Sequence, residues 1–489
     1  MLPPLSRRVM DRRSDECLLG ESSRKDAYDD PESPFISTFR AKSMTSVKGR
    51  KRPLRMICTV LAAVSLLSFG VVLLKPLSYI DIQEVPVFST TFSSRSYVQG
   101  PPTQRFRDNL RNDTKYITSW ISAGWTNDVM TYGNLIYLAL ITERIPIIAK
   151  FIPSHVDNSA PPFAFGEVID VPRLSQAIGS PVLEWHEVKD SESQVLDNLG
   201  CWSVWESVQK LDPHPRGSPS LNRLRLDVSW TRTPDWVKLT PPGIEDNHAS
   251  FWSLATLGFP ETRSNSLELT NHPSPQHQVS LPPDDQLLCF DYLYYVGAQN
   301  AWEWESDYSP AWRFVGQHMH WNASLERLAD EHARRAMNVP ANDPTPPYIS
   351  IHMRHGDFRN YCHELPLDQC FASLPVIARR VAEVQEELRT QKGIEVTQVI
   401  MTSDERDPEW WSGVRALGWA WVDYATERTE EIYGKWYPVF IDAVIQSNGA
   451  GFVGTHGSTM TTLARRRVES WHGGPTRVVK WGSPNADDH

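Results

Sequence analysis

From residue 348 onward the hydrophobic positions switch between two periods. Ile349, Ile351 and Met353 fall on every second residue of 348–353, and Ser350, His352 and Arg354 share the opposite face, as in a strand. Ile377, Val381, Val384 and Leu388 then recur at i, i+4, i+7 and i+11, which is one face of a helix. The same reading predicts a strand at 396–402, a helix at 407–417, a strand at 419–423, a helix at 430–446, a strand at 451–454 and a helix from Ser458. Strands and helices taken in turn predict a parallel sheet wrapped by helices. Nearer the N-terminus, 128–145 carries Val129, Leu135, Ile136, Leu138, Ala139 and Ile141 as a predicted helix, and 145–149 follows as a short buried strand. Residues 325–337 form a further predicted helix, whereas 213–285 is rich in Pro, Ser and Asn and predicts long loops or an insertion. The Pro-rich run 339–347 is the clearest boundary. The expected fold class is therefore α/β, with one domain over 112–338 and a second over 347–489.

A different pattern occupies 56–74, where 19 residues carry no charge. That is the length of a membrane-spanning helix. Six basic residues and no acidic one lie between Lys42 and Arg55, which places that side in the cytosol and the body of the chain in the lumen, as a single-pass type II protein. The charged preamble is too long for a cleaved signal peptide. Residues 1–55 then read as a disordered cytosolic tail, and the Pro-, Ser- and Thr-containing stretch 75–111 as a lumenal stem. The modest length of the span leans toward the Golgi, with the endoplasmic reticulum as the alternative, because thinner membranes suit shorter spans.

Charge narrows the partners. The chain has 49 Lys and Arg against 59 Asp and Glu, a net charge of −10; residues 1–55 hold 13 basic and 8 acidic residues, so the remainder is more acidic still, at −15. Such a balance argues against a nucleic-acid binder. Two sequons, Asn112-Asp-Thr114 and Asn322-Ala-Ser324, fit a lumenal body as candidate glycosylation sites. Four cysteines lie beyond the span, and an oxidising compartment would pair them. Of the three pairings, the short loop Cys362–Cys370 with Cys201–Cys289 is preferred. The sequence has no CxxC or HExxH pattern that would indicate a zinc site.

Four segments could carry chemistry, and each falls at the end of a predicted strand or the start of a helix, where ligands of parallel sheets bind. In Ser350-Ile-His352-Met-Arg354-His-Gly356-Asp357, Arg354 stands at a strand's carboxyl end, and its planar fork suits phosphate oxygens. The same residues would also suit an ordinary Arg354–Asp357 ion pair. In Gly451-Phe-Val-Gly454-Thr455-His456-Gly457-Ser458-Thr459 a strand passes through a glycine-rich turn into a helix whose N-cap candidates are Ser458 and Thr459, a potential anion site or simply a capped helix. In Thr402-Ser-Asp404-Glu405 an acid ends a strand, and in Gly124-Trp-Thr-Asn127 a loop precedes the first helix.

In this order and spacing the four segments resemble the GDP-fucose protein O-fucosyltransferases and their plant and fungal relatives, over roughly residues 120–480. The resemblance implies a GT-B fold of two Rossmann-like domains, GDP-fucose as donor, inversion at the sugar and no obligatory metal. It implies Arg354 as the catalytic residue at the leaving diphosphate. It implies His352, Gly356, Asp357, Asp404, Gly454, Thr455, Ser458 and Thr459 around the donor, and Gly124 and Asn127 on the sugar and acceptor side. Asp442 also sits where the family often has an acid. Trp125 and Thr126 depart from the family's first loop, and no residue takes the place of a general base. The acceptor would be a lumenal glycoprotein or glycan. The alternatives are another nucleotide sugar on the same fold, or a membrane-anchored glycan-binding protein without activity.

Overall fold

The computed structural model describes residues 92–488 except 210–211, 240–246, 267–269 and 341. The span expected at 56–74, the tail 1–55 and the stem as far as residue 91 lie outside the described residues. Among the described residues no helix is long and apolar enough to cross a membrane.

Two sheets organise the chain. The first contains β1 (Tyr116–Ser119), β2 (Ile145–Ile148), β3 (Leu183–Glu184), β4 (Asp197–Ser203), β5 (Leu226–Arg232), β6 (Asn271–His272) and β7 (Leu287–Phe290). Their order is β3-β2-β1-β7-β4-β5-β6, parallel except for the last pairing. Helix α1 (Trp125–Ile141) links β1 to β2 and is buried along most of its length. The disulfide Cys201–Cys289 joins β4 to its neighbour β7, and Cys362–Cys370 closes the short loop expected for it.

After helix α2 (Ala323–Ala336) the second sheet begins, with β8 (Tyr348–Met353), α3 (Leu374–Glu387), β9 (Gln398–Ser403), α4 (Pro408–Ala416), α5 (Thr429–Tyr433), α6 (Tyr437–Asn448), β10 (Gly451–Thr455), α7 (Thr459–His472) and β11 (Thr476–Val479). Its four strands are all parallel in the order β9-β8-β10-β11. The predicted alternation of β8 holds. Ile349, Ile351 and Met353 pack into one core with Ile377, Val381, Val384 and Leu388. On the other face the Ser350 hydroxyl donates to the Gln446 carbonyl at 2.8 Å and His352 meets Thr461.

Several expectations change. Residues 98–110, placed in the stem by composition, pack onto the first sheet through buried Val98, Phe106 and Leu110. The segment 213–285 is not merely loop, because it supplies β5, a buried strand whose polar residues hid it. Asp227 there accepts from the Ser274 hydroxyl and the His277 amide at 2.8 and 2.7 Å, and Ser229 donates to the Val279 carbonyl, so these side chains fasten the following loop. The strand expected at 419–423 reduces to a single bridge at Ala420. The helix expected at 430–446 breaks into α5 and α6, because Gly434 takes φ 110° and Pro438 opens a new first turn. Helix α2, expected in the first domain, packs against α6 of the second, and Arg335 reaches Glu427 at 2.8 Å.

Candidate functional site

The order of the second sheet reverses direction at β8. From it the chain runs outward to β9 and then returns to add β10 and β11 on the other side. Ligands of such sheets bind at this switch point, beyond the carboxyl ends of the strands. The register pairs Met353 with Ser403 and His352 with Gly454. The residues just beyond are therefore brought together, namely Arg354, Asp404 and Thr455.

Their contacts are specific. Arg354 Nε lies 2.7 Å from Asp357 and its Nη1 2.9 Å from Asp404. Its own amide donates to the Thr455 hydroxyl at 2.9 Å. Asp404 also accepts from the backbone amides of His355 at 2.8 Å and Gly356 at 3.0 Å. Burial opposes ionisation of Asp404, but the guanidinium and the two amides together hold its pKa below the ordinary value. Gly356 leaves room for this carboxylate, since a Cβ there would stand 2.3 Å from an Asp404 oxygen.

Beneath this layer His352 is buried, and its Nδ1 lies 2.9 Å from the Thr461 hydroxyl, which also accepts the Thr455 amide at 3.1 Å. Burial lowers the pKa of His352 to about 4, with Arg354 adding to the effect, so the ring is neutral at pH 7. Gly454 admits this packing, because a Cβ would come within 2.6 Å of both Thr461 and Phe452. After β10 the turn passes through Gly457 at φ 82°, a left-handed conformation that favours glycine. Of the two N-cap candidates, Ser458 occupies the N-cap position of α7, with no capping bond from its side chain, and Thr459 is the first residue of the helix. Fourteen-residue α7 points its N-terminus at the switch point, the end that favours an anion.

The first half contributes the facing wall. Gly124 is the N-cap residue of α1, and Asn127 is buried in its first turn. The amide of Ala123 donates to Asp128 at 3.2 Å. Trp125 and Thr126, the residues that depart from the family pattern, join the halves. The hydroxyls of Thr126 and Thr459 are 2.7 Å apart, and Trp125 packs edge-on against Phe440 of α6. Thus the first and last motifs meet across the cleft although 333 residues separate those threonines. Asp442 lies off this wall, on α6. Its carboxylate is desolvated and takes the Tyr424 hydroxyl at 2.5 Å, and burial raises its pKa to about 7.

Two residues were missed in the sequence. Arg216 covers Trp205 and Tyr292 and reaches the Ser122 carbonyl at 3.1 Å, next to the first motif. His155 places its Nδ1 4.0 Å from Asp357. No local pattern marks either one, because both reach the site from loops. Of the two sequons, Asn112 is exposed. The Asn322 amide instead donates to the Gly166 carbonyl at 2.9 Å while its oxygen caps α2, so the nitrogen that a glycan would take is already engaged. Among the described residues no cluster of three His, Cys, Asp or Glu side chains could hold a metal ion.

A parallel sheet with an arginine at its switch point, facing a helix N-terminus and a second α/β layer, is an arrangement suited to a nucleotide-activated donor, and the chain is a glycosyltransferase. Residues 238–470 match the family model described as GDP-fucose protein O-fucosyltransferase, a stretch that includes Arg354, Asp404 and the Gly454–Thr459 turn. No curated protein sequence matches the chain. Among solved structures, POFUT1 in complex with GDP-fucose aligns at 13% identity with a TM-score of 0.45, covering 76% of this chain and 99% of that one. The NodZ alpha-1,6-fucosyltransferase soaked with GDP-fucose aligns at 14% identity with a TM-score of 0.35, covering 73% and 93%. The Bradyrhizobium NodZ fucosyltransferase aligns at 12% with the same TM-score, covering 72% and 92%. The assignment rests on the family model, which takes in three of the four strands of the second sheet, β8, β9 and β10, and the motifs at their ends.

Proposed function

We propose that the chain moves fucose from GDP-fucose to a hydroxyl of a lumenal protein or glycan, with inversion at the anomeric carbon, on a GT-B frame. The observation that carries this reading is Arg354 at the β8–β10 switch point, against the N-terminus of α7. Breaking the sugar–phosphate bond leaves negative charge on the diphosphate. A guanidinium and a helix N-terminus aimed at that place stabilise the transition state more than the ground state. Asp404, bound to two backbone amides as well as to Arg354, keeps the guanidinium at the switch point. Asp357, a third exposed, is the partner that a diphosphate displaces. Neutral His352 adds no charge behind the nucleotide and, through Thr461, fixes the turn that carries Thr455, Ser458 and Thr459. The chemistry needs no metal, because these groups meet the leaving charge.

A lumenal location with a type II anchor at 56–74, in the Golgi or endoplasmic reticulum, is part of the same proposal. Two disulfides and the basic flank of the apolar run support it. The test of the donor is titration of GDP and GDP-fucose into the purified full-length protein and its Arg354→Ala variant. The proposal expects nucleotide binding that the variant weakens at least tenfold. Equal affinity in the variant refutes it.

A further inference from the structure

Glycosyl transfer to a hydroxyl releases a proton. Asp404 is committed to the Arg354 guanidinium and to two backbone amides, and Asp357 stands on the donor side, beside the guanidinium that the diphosphate takes over. Glu405 is held by His355 at 2.8 Å, and His352 lies buried behind the strand. A base must come from the facing wall. There the chain leaves β2, and Phe151 and Phe163 exchange backbone hydrogen bonds at 2.8 and 2.9 Å, which closes 152–162 into a loop. The far side of this loop is fastened to the second half. Asp157 pairs with Lys435, the Lys435 ammonium donates to the Ser159 hydroxyl at 2.6 Å, and the Trp436 indole donates to the Pro161 carbonyl at 2.7 Å.

His155 stands in this strap, at φ 58°, with its side chain 45% exposed. Its Nδ1 is turned toward Asp357, 4.0 Å away, and Asp357 in turn holds Arg354. The opposite ring edge lies over the first motif, where a Cβ on Gly124 would stand 3.4 Å from Cδ2 and 3.8 Å from Nε2. One imidazole thus spans the donor-side carboxylate and the loop on the acceptor side. Catalytic hydrogen bonds often tighten as substrate binds, so a 4.0 Å separation is compatible with this role.

We infer that His155 is the general base of the transfer, an inference that rests on the transferase reading above. The acceptor oxygen forms its bond to the anomeric carbon as the bond from that carbon to the diphosphate oxygen breaks. The electron pair leaves with GDP, and the hydroxyl proton passes to His155 Nε2. Asp357, released from Arg354 by the diphosphate, accepts from Nδ1–H and stabilises the imidazolium.

Water can replace the unidentified acceptor, so the test is hydrolysis of GDP-fucose by full-length protein, with GDP affinity measured alongside. His155→Ala should bind GDP within threefold of wild type and hydrolyse at least about a hundredfold more slowly, with added imidazole restoring part of the rate. His155→Gln, which keeps the ring's approximate shape, should lose the same rate. Either variant hydrolysing within threefold of wild type, or no rescue by imidazole, overturns the inference. A wild type that binds GDP-fucose without hydrolysing it does so too. Failure of wild type to bind GDP overturns the donor reading instead, and His155 with it.

Discussion

Replacing Gly356 by alanine probes the geometry that holds Arg354. The added Cβ would lie 2.3 Å from one Asp404 oxygen and 3.0 Å from its carboxyl carbon, so the carboxylate must move. It cannot move alone. Its other oxygen accepts from the amides of His355 and Gly356, and the displaced oxygen is the one that pairs with Arg354. Hydrogen bonds to a charged group contribute about 1.5–3 kcal/mol each, and the partial exposure of Asp404 lets water recover part of the loss. The net cost is then roughly 2–4 kcal/mol, with Arg354 left without its anchor. Urea unfolding and GDP titration measure the two effects. The urea midpoint should fall by that equivalent, and GDP affinity should drop at least tenfold. Asp404→Asn, which still accepts from both amides but loses the charge pair, should bind GDP poorly with a smaller loss of stability. A Gly356→Ala protein with wild-type midpoint and wild-type GDP affinity would refute the arrangement described here.

Burial raises the Asp442 pKa from 3.8 to about 7, so the folded state holds a proton there that the unfolded chain releases. That contribution to stability is complete below pH 3.8 and disappears as pH rises through 7, a difference of about 4 kcal/mol at one pKa unit per 1.36 kcal/mol. Asp442→Asn, which still accepts from Tyr424, should flatten the fall in urea midpoint between pH 5 and 9, and parallel curves for the two proteins would contradict the assignment. Thr461→Val removes the hydroxyl shared by the Thr455 amide and His352, and should lower stability by about 2–4 kcal/mol in urea unfolding, with an unchanged midpoint counting against the shared bond.

Much of the second half was legible because its code is local. Apolar residues at alternate positions of 348–353 and at helical spacing over 377–388 face one core, so both the elements and the strand-end position of Arg354 followed from period alone. The approach of Asp404 and Thr455 to Arg354 then required only that β9 and β10 flank β8. The first half was less legible. Strand β5 carries Asp227, Ser229 and Thr231, and its burial is stable because Asp227 and Ser229 bond a loop some 50 residues onward and Thr231 accepts from Asn271 of β6. The break between α5 and α6 needed the left-handed Gly434, which reads as an ordinary glycine in sequence. His155 was hidden for the same reason as the partners of Trp125 and Thr126. Its setting is made by contacts between halves, such as Asp157 with Lys435, 278 residues apart.

The central claim is that Arg354 at the switch point binds the diphosphate of a guanine nucleotide sugar. Isothermal titration of GDP into the full-length protein beside its Arg354→Ala variant tests it most directly, with Arg354→Lys distinguishing charge from the bidentate fork. The account predicts saturable GDP binding, at least tenfold weaker in Arg354→Ala and only partly restored in Arg354→Lys. Folded wild-type protein that takes up no GDP, or an alanine variant that binds it equally well, would contradict the account.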